Sequence, residues 1–183
     1  MLHNIFRFSL LLAILVITFS GISLAQGWGG AITAMPASAE VFTVLSLTAG
    51  PNLNFGDILS TSTPVIDPTN ATNDIDVGKH TSHSAYAAGK FHIAGTAGKS
   101  VQVTFPASAT LTGPSSTMTW TLAVSGANAD AGARGGAAYT SGNAITLSGT
   151  GDYYLWIGGN LGSLSGKAPG NYTGSASFDV EYN

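Results

Sequence analysis

The sequence predicts an all-β antiparallel sandwich, and three observations carry that expectation. Apolar and polar residues alternate with a period of two in several separate stretches. Gly, Pro and Asn turns separate these stretches at spacings of about 8–12 residues. After residue 25, no stretch shows the sustained three-and-four spacing and caps of a helix. The clearest alternation is the last one: Tyr172, Gly174, Ala176, Phe178, Val180 and Tyr182 interleave with Asn171, Thr173, Ser175, Ser177, Asp179 and Glu181. One face of such a strand is buried and the other wet. A strand of this kind either closes its own domain or pairs with another subunit.

The other strands follow in chain order. Residues 41–47 are apolar and β-branched. Leu53-Asn54-Phe55-Gly56-Asp57-Ile58 reads as a short strand ending at a Gly-Asp turn, and Pro64-Val65-Ile66-Asp67 as another. Phe91 and Ile93 alternate with Lys90 and His92; Val101, Val103 and Phe105 with Ser100, Gln102 and Thr104; Trp120, Leu122 and Val124 with Thr119, Thr121 and Ala123. Ile145 and Leu147 come next, then residues 153–157 and the last strand. Turns are expected at Gly95-Thr96-Ala97-Gly98, Thr112-Gly113-Pro114, Gly142-Asn143 and Gly158-Gly159-Asn160. Residues 126–142, rich in Ala and Gly, read as a long surface loop holding Arg134.

The start of the chain reads as an export signal. His3 and Arg7 sit in a short polar opening, residues 10–19 are almost all apolar, and Ser23-Leu24-Ala25 has the small-x-small pattern of a cleavage site. Cleavage after Ala25 would leave Gln26 first and no integral membrane span. An uncleaved anchor is the alternative, but the apolar run is short for one. Residues 26–39, with Trp28, Ile32, Ala34 and Met35, read as an extended arm, and residues 40–183 as one sandwich domain.

Composition narrows the function classes. Only 8% of residues are charged, against about 25% in ordinary soluble domains. Hydroxyls and backbone must therefore supply the polar surface, which suits an exported, assembled protein. Six Lys and Arg, scattered, do not make a phosphate-binding patch, so no nucleic-acid partner is expected. With no cysteine there is no disulfide, thiol nucleophile or thiolate metal site.

Several segments together resemble a bacterial family of exported proteins, the domain of unknown function 4402. They are Leu53-Asn54-Phe55-Gly56-Asp57-Ile58, Ala88-Gly89-Lys90-Phe91-His92-Ile93-Ala94-Gly95, Val101-Gln102-Val103-Thr104-Phe105-Pro106, Ile157-Gly158-Gly159-Asn160-Leu161, and Pro169-Gly170-Asn171-Tyr172-Thr173-Gly174 running to Val180-Glu181-Tyr182-Asn183. The ending is also similar to the closing strand of spore-coat-protein-U-like and other chaperone–usher pilin subunits. The resemblance implies an immunoglobulin-like sandwich, a place in a surface fibre, a periplasmic chaperone and outer-membrane usher as partners, and no catalytic residues. Residues 126–142 and the His-bearing segment between Asp76 and Ala88 depart from the pattern.

Candidate sites are few. Gly98-Lys99-Ser100 imitates the end of a phosphate loop, but Ile93 stands where the first glycine belongs and an alternating strand follows, so a hairpin turn accounts for it. Asp67, Asn70, Asn73, Asp74 and Asp76 crowd one loop. Asp67, Asp74 and Asp76 could hold calcium, or the loop is a solvated turn; EF-hand spacing is absent. His80, His83 and His92 could gather a metal, or be exposed singly. Trp28, Trp120, Tyr153, Tyr154 and Trp156 could stack on sugar. Against that, Trp120 reads as core, and both faces of residues 153–157 read as buried between sheets. No Gly-x-Ser-x-Gly elbow occurs and only nine acids exist, so no enzyme and no cofactor are expected.

The arm is the sharpest candidate. Ile32 and Ala34 are spaced to enter alternate pockets of a neighbour's sheet, with Trp28 beside them and Phe178, Val180 and Tyr182 on the terminal strand as the matching assembly face. The arm could equally lead into its own first strand. The leading expectation is an exported, pilin-like structural subunit at the cell surface, joined to copies of itself or to related subunits by strand exchange and serving adhesion. The alternative is a monomeric secreted or periplasmic module that binds glycan or calcium.

Overall fold

Residues 35–77 and 85–183 are described by a computed structural model of the chain. The signal segment, Trp28, Ile32, Ala34, His80 and His83 lie outside the described residues. The sandwich is one compact unit, Glu40–Asn183. No helix among the described residues is long and apolar enough to cross a membrane.

Among the described residues, ten strands form two antiparallel sheets: β1 (Ser46–Ala49), β2 (Val65–Ile66), β3 (Gly89–Ala94), β4 (Ser100–Thr104), β5 (Ser108–Thr112), β6 (Thr117–Ala127), β7 (Ala137–Tyr139), β8 (Ala144–Thr146), β9 (Asp152–Asn160) and β10 (Asp179–Tyr182). The larger sheet has the order β1-β3-β9-β6-β5, with β2 on β9 and β7 on β6. β2 takes the end of β9 beyond β3, pairing Val65 with Asn160, and β7 takes the end of β6 beyond β5, pairing Val124 with Tyr139. The smaller sheet is β10-β4-β8. The core follows from the alternation: Ile93, Val101, Val103, Leu155 and Ile66 are fully buried, and Trp120 is core as expected.

The structure corrects several expected boundaries. Residues 41–45 form no ladder, and β1 starts only at Ser46. Residues 53–58 contribute one bridge, Asn54 to Ala87, because the chain turns at Gly56 with φ 71°. Gly158-Gly159-Asn160 is not a turn; it is the end of β9, flanked by β6 and β2 at once. Glycine is required there, since a Cβ on Gly158 would strike the Ile66 carbonyl and one on Gly159, with φ 134°, the Thr121 carbonyl. The sequence pattern resembled a turn because it lacked side chains; the fold lacks side chains there because two backbones approach.

Residues 126–142 are likewise not one loop. β6 continues to Ala127 and β7 lies inside the stretch; residues 128–136 form the loop between them, and residues 140–142 lead into a turn. Gly126 stays in the strand because the Tyr153 ring fills the space of its missing side chain. The loop folds back over the outer face of the large sheet. Trp156 is fully buried beneath it, donating Nε1–H to the Gly132 carbonyl (2.9 Å), and Ser125 donates to the carbonyls of Pro68 and Gly135. Trp156 is thus buried under a loop and not between the sheets.

β7 also ties the two sheets together. Tyr139 Oη accepts from Val103 N and donates to Val103 O, and Ser141 Oγ bonds both N and O of Phe105.

Candidate functional site

β10 is the outermost strand of its sheet. Asn183 N donates to Ser100 O (3.0 Å), continuing the register that pairs Asp179 with Thr104 and Glu181 with Gln102. Antiparallel pairs alternate between bonded and unbonded, so these are the bonded ones. The main-chain polar groups of Phe178, Val180 and Tyr182 therefore point away from β4, to the free side. Only Val180 N is met there, by the carboxylate of Asp179 (3.1 Å). Upstream, Thr173 exchanges main-chain bonds with Thr112 of β5. The segment thus leaves one sheet and joins the other, and the expected long terminal strand is a ladder over Asp179–Tyr182 and a bridge at Thr173.

The expected alternation of the side chains holds: Tyr172, Ala176, Phe178, Val180 and Tyr182 are half-buried, and the residues between them are exposed. The inward face is packed. Phe178 lies between Phe91 and Phe105, with ring centroids at 4.9 and 5.1 Å.

The open flank is a groove of about 980 Å³ between residues 49–60 and 167–178. Leu53, Phe55, Met118, Trp120, Ile157 and Phe178 supply its apolar lining. Trp120 is held there by an Nε1–H bond to the Gly158 carbonyl (3.0 Å). The two lysines at the groove are committed elsewhere: Lys90 Nζ to Asp130 (2.5 Å), and Lys167 Nζ to the Thr117 carbonyl (2.5 Å). One wall is braced by Tyr172, whose hydroxyl donates to the Ala168 carbonyl (2.8 Å) and whose ring lies against Gly113.

At the far end of β10 the flank is closed. Tyr182 Oη donates to the Thr43 carbonyl (2.9 Å) and accepts from Thr96 N (2.7 Å), Phe42 packs on its ring at 4.9 Å, and Glu40 pairs with Lys99. Of the three expected assembly residues on the terminal segment, Phe178, just before β10, lines the groove, Val180 lies beyond it and Tyr182 is the clasp that ends it.

The calcium candidates do not share one centre. Asp67 accepts from Thr69 N, Thr69 Oγ1 and Asn73 Nδ2. Asp74 accepts from Asp67 N and from Arg134 (2.5 Å), whose guanidinium also donates to the Asp67 carbonyl and packs on Tyr86. Asp76, with φ 53°, accepts from Thr63 N. The basic partner, Arg134, comes from the loop over the large sheet, and its side chain is only 10% exposed. No cluster of three or more His, Asp or Glu among the described residues could hold a metal.

Burial pushes the Asp67 carboxyl up, and the bonds from Thr69 and Asn73 outweigh it, so its pKa stands below the ordinary value. A carboxylate with a depressed folded-state pKa contributes stability above its unfolded pKa and loses it as pH falls through the folded one. The urea midpoint is therefore expected to fall on acidification below about pH 4, and Asp67→Asn to make that fall shallower. An unchanged acid profile in the variant would show that the Thr69 and Asn73 bonds contribute nothing.

His92 stacks on Tyr154 at 4.7 Å and meets Asp152 at 2.7 Å. The Thr150 hydroxyl, and then His92, hold the Asp152 carboxyl below its usual range. With Trp120, Tyr153 and Trp156 buried and Tyr154 engaged by His92 and Lys90, these aromatics form no open stacking platform.

Fold and site together define an all-β sandwich whose last strand, among the described residues, is an edge strand beside a groove. The chain belongs to the family described as domain of unknown function (DUF4402), whose model matches residues 45–182, from the residue before β1 to the last residue of β10. The arm lies outside that match. No curated protein matches the chain.

Proposed function

We propose that the chain is an exported, pilin-like structural subunit of a surface fibre, and that the groove beside β10 receives an extended segment from a copy of itself or a related subunit. The observation that carries this reading is that, among the described residues, β10 is an edge strand beside a groove of mixed apolar and polar lining. An extended segment laid there would meet the main-chain groups of Phe178 and place alternate side chains among Leu53, Phe55 and Trp120. Edge strands left open in this way pair with other chains unless something blunts them. Delivery by a periplasmic chaperone and an outer-membrane usher, and adhesion by the finished fibre, belong to the same reading.

The test is assembly of the chain from Gln26, exported to a periplasm, with and without residues 26–39, imaged by negative-stain electron microscopy. Filaments that require the arm are expected. Monomers in both preparations at high concentration would overturn the reading and leave the monomeric binding module, to be tested with glycans and calcium.

A further inference from the structure

We propose a second binding site, independent of strand exchange: a site for an acidic sugar on the outer face of the large sheet. The 128–136 loop is its lid, and Asp130 and Gly132 occupy the ligand's place while the lid is shut.

The register builds the floor of the site. Lys90 of β3 stands opposite Trp156 of β9, and Trp156 opposite Ser125 of β6. Cross-strand partners share one face of a sheet, and Tyr154, two residues before Trp156, shares it too. The Tyr154 and Trp156 rings lie side by side with centroids 6.4 Å apart, and Lys90 Nζ sits 5.2 and 5.7 Å from them. Trp156 is fully buried, yet it stands outside the main core cluster. Its cover is the loop.

That cover is slight. Residues 128–136 are alanine and glycine apart from Asn128, Asp130 and Arg134, so no large apolar side chain anchors it. Its two ends are fixed. Asn128 Nδ2 donates to the Thr146 carbonyl (3.0 Å), Gly135 N to the Pro68 carbonyl (3.2 Å), and Arg134 pairs with Asp74. Among the described residues, the middle of the loop, 129–133, meets the sheet through two groups. The Asp130 carboxylate accepts from Lys90 Nζ, and the Gly132 carbonyl accepts from Lys90 Nζ (3.3 Å) and from Trp156 Nε1 (2.9 Å). The Asp130 side chain is about half exposed, where an ion pair contributes little. A Cβ on Gly132 would meet nothing within 4 Å, so there is open space above the lid. Segments held by a few exposed polar contacts open before the rest of a fold, and lids are drawn from them.

The closed contacts define the ligand. Moving 129–133 outward frees an ammonium and an indole N–H, both donors, beside two aromatic rings. Gly135 stays in place and keeps the far corner of the Trp156 ring covered, since its Cβ position lies 3.6 Å from Cη2. A replacement for the loop must bring a carboxylate to Lys90, an oxygen acceptor to the indole and an apolar C–H face to the rings. A uronic acid residue carries all three. A neutral sugar would leave the Lys90 charge without its partner. Because lid and ligand compete for the same donors, loosening the lid tightens binding.

Calorimetry with trigalacturonate and with its methyl ester tests this. The parent chain is expected to bind the acid and not the ester. Asp130→Ala removes the stand-in and is expected to bind the acid about two- to fivefold tighter, the scale of one exposed ion pair. Lys90→Met loosens the lid as well, but is expected to lose binding. Hydrogen exchange at residues 129–133 should speed up in both variants, and in the parent when the acid is added, because the ligand expels the loop. Absence of binding by both the parent and Asp130→Ala would overturn the inference. So would equal binding of the ester, undiminished binding by Lys90→Met, or slower exchange at 129–133 with the acid present. An Asp-Ala-Gly peptide that binds where the sugar does not would overturn the ligand class.

Discussion

Replacing Arg134 with alanine is expected to cost about 3–5 kcal/mol of stability, the range for removing one partner of a buried ion pair. The Arg134 side chain is 10% exposed and that of Asp74 4%, and their atoms meet at 2.5 Å. Asp74 Oδ2 is buried and has no hydrogen-bond partner. Without the guanidinium, the carboxylate would keep a single donor, Asp67 N. The substitution also frees the Asp67 carbonyl and the face of Tyr86. Pairing it with Asp74→Asn should recover a large part of the loss, because the damage comes from the charge left behind and not from the missing attraction. Urea unfolding of the two single variants and the double measures this. Additive losses would mean that the pair is solvated in solution.

Trp156→Ala is expected to cost a similar amount, about 3–5 kcal/mol, as for other large-to-alanine changes at closed sites. Trp156 is fully buried, and its indole N–H is spent on the Gly132 carbonyl. Because it lies under the loop and outside the main cluster, the loss should be local as well as global. Limited proteolysis should cut within residues 128–136 of the variant at denaturant concentrations where the parent resists. A loss under about 1 kcal/mol would mean that the loop does not cover the ring; that threshold is the ordinary scale of a surface substitution.

These two sites show where sequence reasoning stopped. Arg134 and Asp74 are 60 positions apart, and neither has a pattern around it that names the other. Residues 137–139 were invisible as a strand because Ala-Ala-Tyr has almost no polar contrast to alternate. β5 was missed for the same reason: only Ala109 and Leu111 of Ser108–Thr112 face inward, at a sheet edge. By contrast, β4, β6 and the first part of β9 were legible, since Val, Ile, Trp and Leu recur on one side of each, and the structure buries those residues.

The candidate site was half legible. The inward set Phe178, Val180 and Tyr182 follows from a period of two, which depends only on the chain's own geometry. Whether that face is covered depends on what lies across from it, and no local pattern contains that information. The fold class, the faces of the strong strands and the uncharged side chains of residues 26–39 are all legible along the chain, because they are properties of neighbouring residues. That Trp156 is covered by a loop, that Asp74 is answered by Arg134, that Tyr182 is a clasp and that a groove lies beside Phe178 came from the packing alone. Each of these is a meeting between residues distant in sequence, set by how two sheets pack and where their edges fall.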